Sequence, residues 1–156
     1  MQTITVVIAD RQKTSRSLSM NTLQSEKGIA VVGVARNGLE AMMAAGGIKP
    51  RILLLNSNLL RGKGDPLLRA LRQKSPRTKM ILLTRRASET AILEALSIGA
   101  RGYLKETDIS ALLPQAVRQV EAGEAWVPRK MELKIVDRLA LHAAPQAEGQ
   151  GKEPCD

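Results

Sequence analysis

Residues 51–64 read RILLLNSNLLRGKG, and the first half of that stretch decides the architecture. Arg51–Leu55 (RILLL) is a continuous apolar run rather than an alternating one, which suits a strand buried on both faces of a parallel sheet. The run stops at Asn56, a polar residue at the end of a strand that should be buried. Four similar runs surround it: Thr3–Ala9 (TITVVIA), Ile29–Ala35 (IAVVGVA), Lys79–Thr84 (KMILLT) and Arg101–Leu104 (RGYL). Segments of helical period separate them. Ile109, Leu112, Leu113, Ala116, Val117 and Val120 form one stripe of a helix from about Asp108 to Glu121, with Asp108 placed to cap it and Gly123 to end it. Ile92, Ala95, Leu96 and Gly99 mark a second stripe with Ser88 as its cap, and Leu67, Leu68 and Leu71 a shorter third. Lys13–Glu26 and Leu39–Ala45 complete the alternation. Five strand–helix repeats in sequence predict a right-handed, doubly wound α/β fold.

Beyond Trp126 and Pro128 a further helix is expected from Arg129 to about His142, with Leu133, Val136 and Ala140 three and four apart. Ala144–Asp156 (APQAEGQGKEPCD) reads as a flexible linker. The expected organisation is a domain over 1–128, a C-terminal helix over 129–143 and a tail over 144–156.

The chain has 156 residues, 44% of them hydrophobic, which suffices for one domain with a core of its own. Tyr103 and Trp126 are its only aromatic residues, so the core must be aliphatic and no platform for stacking bases exists. The formal net charge is +9; the tail holds Lys152 against Glu148, Glu153 and Asp156, leaving about +11 on the rest. A basic surface of this kind attracts polyanions or an acidic protein partner, and it equally suits an ordinary domain from a basic proteome. The single Cys155 cannot form an internal disulfide, the N-terminus lacks a signal-peptide pattern, and no apolar run reaches membrane-spanning length. A cytoplasmic protein without membrane contact is expected. No nucleophile–base pair, metal-ligand cluster or cofactor motif is visible, so neither an enzyme nor a bound cofactor or metal is expected; His142 reads as a helix-end residue.

In an open parallel sheet, ligands bind outside the carboxyl ends of the strands. Asp10 and Arg11 follow the first strand, Asn56 the third, Thr84 the fourth and Lys105 the fifth. Each alone is an ordinary strand-end or helix-entry residue; together they form a pattern.

That pattern resembles the receiver domain of two-component response regulators, more closely the NarL/LuxR-like group, over roughly Thr3 to Pro128. The likeness runs through VVIAD (Val6–Asp10), LLLNSNLLRGKG (Leu53–Gly64), ILLT (Ile81–Thr84), ALSIGARGYLKE (Ala95–Glu106) and AVRQVEAGEAWVP (Ala116–Pro128). It implies a flavodoxin-like five-stranded sheet of order 2-1-3-4-5, with helices on both faces. In an intact receiver, two acidic residues and a phospho-accepting aspartate hold Mg²⁺. A hydroxyl residue and a lysine then bind the phosphoryl oxygens and shift the nearby helix face.

On this resemblance Thr84 matches the hydroxyl residue, Lys105 the lysine, and Tyr103 the aromatic whose packing changes. Asp10 matches one of the acidic pair, but Arg11 replaces the other and Asn56 replaces the acceptor. The loop departs too, with Leu60 where the family often has Pro and Arg61 at the turn position. An amide gives no stable acyl phosphate, and the two replacements move the pocket about three charge units toward positive. An isolated Asp→Asn change would leave Arg11 unexplained. Asp10 becomes the expected ion-pair partner of Lys105, with Arg11 competing for it; Ser57 and Asn58 read as loop residues.

The expected function is that of an atypical receiver of a transcription regulator, acting through a homodimer or protein contacts without aspartyl phosphorylation. The dimer would use the helices near Lys13–Glu26 and Asp108–Glu121, or the Ser88–Ile98 face. Alternatives are a stand-alone adaptor for a protein partner, and a ligand sensor with an anion held by Arg11, Lys105 and Thr84. DNA contact is expected only through a helix-turn-helix module outside this chain, since no recognition helix is identifiable within it.

Overall fold

The computed structural model describes residues 2–61, 66–86, 88–127 and Asp137. The chain divides into two compact units, Met1–Trp126 and Val127–Asp156, and the first holds every strand of the sheet. The helix expected over Arg129–His142 and the tail lie outside the described residues, save for Asp137, which is helical.

Strands and helices alternate as the apolar runs dictate: β1 (Ile4–Ala9), α1 (Lys13–Gln24), β2 (Ile29–Ala35), α2 (Gly38–Ile48), β3 (Ile52–Asn56), α3 (Leu67–Lys74), β4 (Lys79–Thr84), α4 (Glu89–Ile98), β5 (Gly102–Lys105) and α5 (Ile109–Glu121). The five strands form one parallel sheet of order β2-β1-β3-β4-β5. Every residue of β3 is buried, because its two faces feed two cores. Leu53 and Leu55 join Val7, Leu82 and the inner sides of α2, α3 and α4. Ile52 and Leu54 join Val6, Ile8, Ile81 and the α1 and α5 side chains Leu23, Leu113 and Val117. That two-sided burial is why the run is continuous rather than alternating.

Side-chain caps start α2 and α4, while α1, α3 and α5 begin without one. The Ser88 hydroxyl accepts from the Ala91 amide at 3.2 Å, capping α4. Asn37 does the same for α2, taking the Glu40 amide at 2.8 Å. Gly123 follows α5 with φ +99°, a left-handed conformation that glycine adopts at no steric cost. Asp108 stands at the start of α5 but makes no side-chain cap bond. A one-turn 3-10 helix, Glu106–Asp108, precedes it, so α5 is entered from a helical turn rather than from an extended cap residue.

The two sheet edges differ. The β5 edge is covered by the segment after α5: Trp126 bridges Gly102, with Tyr103 N donating to Trp126 O at 2.8 Å and Trp126 N to Arg101 O at 3.0 Å. Strand β2 is the opposite edge, and it carries a bulge where pairing passes from Val6–Val31 to Val7–Gly33.

Candidate functional site

Parallel strands bring their carboxyl ends to one side of the sheet. Asn56, Thr84 and Lys105 are the last residues of β3, β4 and β5, and Thr84 is in register with Lys105. Asp10 directly follows β1. The strand-end rule therefore places these expected site residues together.

The Asp10 carboxylate is fully buried and serves as the hub. Its Oδ1 accepts from Gln12 N at 2.9 Å and Asn58 Nδ2 at 2.8 Å. Its Oδ2 accepts from Ser15 Oγ at 2.5 Å and Asn56 Nδ2 at 3.1 Å. The bond to the amide two residues on ties the entry of α1 to the end of β1, so Asp10 is a helix-entry residue and a site residue at once.

Asn56 donates its second amide hydrogen to Glu106 Oε2 at 2.8 Å, while its Oδ1 accepts from Asn58 N at 3.0 Å. The carboxylates only accept and the backbone N–H only donates, so the orientation of this amide is fixed by its partners. A carboxylate at this position would instead face Asp10 and Glu106 as a third like charge.

The ion pair expected between Lys105 and Asp10 is absent from the described residues. Neutral donors already occupy both Asp10 oxygens, and Lys105 is exposed. Arg11 does not compete for Asp10 either. Its backbone N donates to Asn58 Oδ1 at 3.1 Å and its Nε to Asn58 O at 3.3 Å, turning it toward the one-turn helix Ser57–Leu59. Arg16 braces the same corner, with Nη1 on the carbonyls of Asp10 and Arg11 at 2.9 and 3.3 Å.

Three members of the network are not legible as site residues in the sequence: Ser15, Asn58 and Glu106. Asn58 has the look of a loop residue, yet the 3-10 turn after β3 directs its amide back to Asp10. Glu106 directly follows Lys105, and a second 3-10 turn brings it over Asn56. Polar residues one or two places beyond a strand end are the signal that could have found these last two.

The other half of the site is different in kind. Thr84 and Tyr103 are each 2% exposed, and their hydroxyls are buried without a hydrogen-bond partner. Burial raises the Tyr103 phenol above its ordinary 10.0; the neighbouring Thr84 hydroxyl lowers it somewhat, and the Asp108 charge adds to the rise. The two hydroxyls are thus close enough to influence each other without meeting hydrogen-bond geometry. Among the described residues no three His, Cys, Asp or Glu side chains group as metal ligands.

The family model "response regulator receiver domain" matches residues 6–117. The chain belongs to that family. It is 27% identical over 143 residues to the DNA-binding transcriptional activator DevR/DosR of Mycobacterium tuberculosis, covering 92% of this chain and 66% of that protein. It is 25% identical over 150 residues to the oxygen regulatory protein NreC of Staphylococcus epidermidis, covering 96% of this chain and 69% of the other. The chain thus spans about two thirds of the length of these relatives. Among solved structures, a LuxR-family two-component response regulator from Aurantimonas sp. superposes with a TM-score of 0.77 at 23% identity, over 88% of this chain and 98% of that one. The isolated receiver domain of RcsB from Salmonella enterica gives 0.76 at 17% identity, over 86% and 98%. This is a response regulator receiver domain, with the flavodoxin-like sheet order expected of it. No described helix is long and apolar enough to cross a membrane.

Proposed function

We propose that this receiver domain regulates transcription without aspartyl phosphorylation. It is the signalling half of a cytoplasmic regulator that works through dimerisation and protein contacts, catalyses nothing and holds no metal. Asn56 occupies the acceptor position, and Asp10 with Arg11 the position of the acidic pair. The observation that carries the reading is the bonding of Asn56: both amide hydrogens are donated to carboxylates and its oxygen is taken by Asn58 N. An amide is a poor nucleophile. Here its bonds also close a network that needs no cation, and Thr84, Tyr103 and Lys105 stand as the remnant of a switch. Contact with DNA would come from a helix-turn-helix segment outside this chain, in keeping with a relative named as a DNA-binding activator.

Incubation with acetyl phosphate and Mg²⁺, followed by intact-mass measurement, tests this. No phosphoryl adduct is expected, and a stoichiometric adduct on any residue of the site would end the proposal.

One observation favours a second reading, that of an anion sensor. Thr84 keeps an unpartnered buried hydroxyl, and the exposed Arg85, Arg86 and Lys105 stand beside it in sequence or register. Melting curves with sulfate and inorganic phosphate test that reading; an unchanged Tm with both would remove it.

A further inference from the structure

The sequence of α2, GLEAMMAAGGI, holds one charged residue, Glu40, in eleven. Its inner side is accounted for, since Ala41 and Ala45 are buried against the sheet. Its outer side is apolar as well: Leu39 is 72% exposed and Met43 68%. A helix that is apolar around its circumference is normally covered on all sides. The exposed large apolar side chains among the described residues are Leu18, Val32, Val34, Leu39, Met43 and Ile48. All lie on α1, β2 or α2, and none on α3, α4 or α5.

The outer face of α2 is also shaped. Leu39 and Met43 stand four apart at its N-terminal half, and Gly46 and Gly47 follow one turn on, so knobs occupy one end and a flat backbone the other. A Cβ built on Gly47 meets nothing within 4 Å. A groove of about 700 Å³ runs along this face, lined by Leu39 and Met43 as well as by the two glycines, Lys49 and Lys74. Charge is divided the same way, with Glu40 at the knob end and the two lysines at the glycine end.

We propose that this face is a homodimer contact in which α2 of a second copy packs antiparallel across it. A twofold axis near Met43 lays each copy's Leu39 over the other's Gly47 and brings Glu40 toward the partner's lysines. Both shape and charge then complement themselves, the requirement for an isologous interface. A purely acidic partner would satisfy the lysines but not Glu40. This contact lies apart from the site at Asn56 and does not depend on the function assigned there. It also puts the dimer on a different face from the α1, α4 and α5 surfaces expected from sequence.

The test uses the whole 156-residue chain. Sedimentation equilibrium is expected to show a dimer at tens of micromolar, with Glu40→Lys weakening it about tenfold and Glu40→Lys/Lys49→Glu/Lys74→Glu restoring it. Gly47→Arg fills the groove at a position with free space around it, so it should abolish the dimer and leave the circular dichroism spectrum of the folded chain unchanged. In a Cys155→Ser background, Met43→Cys should form a disulfide-linked dimer on mild oxidation, and Leu18→Cys should not. A wild-type chain that stays monomeric at about 100 µM would overturn the proposal. So would a dimer that survives Gly47→Arg, or oxidation that links Leu18→Cys and spares Met43→Cys. Phosphoryl transfer plays no part in any of these readouts, so this proposal and the reading of Asn56 can fail separately.

Discussion

The two halves of the strand-end site handle buried polarity in opposite ways. Around Asp10 and Asn56, each polar group has a partner: four donors on one carboxylate, and three bonds on one amide. Around Thr84 and Tyr103, two buried hydroxyls have none, and Lys105 is exposed. A satisfied network resists change, because opening it exposes unpaired charge in a medium of low polarity. An unsatisfied pair resists nothing and gains from any partner that arrives. The first half is therefore built as a lock, and the second is not.

The largest test of that contrast is Asp10→Ala. Removing the hub takes the acceptor from Gln12 N and Asn58 Nδ2, and leaves Ser15 Oγ only Gln12 O and the Asn56 amide only Glu106, with an expected loss of about 3 kcal/mol in urea unfolding. A loss below about 1 kcal/mol would mean that the network is no lock. Asn56→Asp comes next. Three carboxylates would then face one another, so stability should fall by about 2 kcal/mol near neutral pH and recover in part with millimolar Mg²⁺. A variant as stable as the parent without Mg²⁺ would show that the amide is not chosen for its two carboxylate partners.

Tyr103→Phe removes a buried hydroxyl that bonds to nothing, so stability should change by less than about 1 kcal/mol, in the stabilising direction. It should also alter the alkaline limb. The folded phenol titrates above 10.0, so the native state keeps a proton that the unfolded chain releases. The tyrosine form is then unaffected below about pH 10 and loses stability as the pH rises further. Melts between about pH 9 and 11 should show that loss in the parent and not in Tyr103→Phe. Lys105→Met should be the smallest, within about 0.5 kcal/mol, because the exposed ammonium has no carboxylate partner among the described residues. A larger destabilisation would place Lys105 in the lock rather than outside it.

The sheet is readable in the sequence because its signal is periodic. Arg51–Leu55 differs from β3 by one residue at each end, and Lys79–Thr84 not at all. Strand ends in turn locate Asp10, Asn56, Thr84 and Lys105, since a parallel sheet gathers them whatever the details of packing. The partners of those residues are less readable. Lys105 and Asp10 have opposite charges and both stand at strand ends, yet β3 and β4 separate their strands and neutral donors occupy Asp10 instead. Asp108 has the right chemistry for a cap, but its backbone is not extended. Asn58 and Glu106 enter through two 3-10 turns whose direction no hydrophobic period encodes.

The sequence alone determined the α/β alternation, the two-sided burial of β3 and the amide at its end, because these depend on side-chain type at each position along one chain. Tertiary structure decided which oxygen meets which donor, and that Glu106 closes over Asn56 while Thr84 and Tyr103 go unpartnered. It also left one face of α2 bare, since covering a face depends on the neighbours that the fold assembles around it. Hydrogen bonds act over about 3 Å, so an account of partners needs positions that spacing along the chain cannot supply.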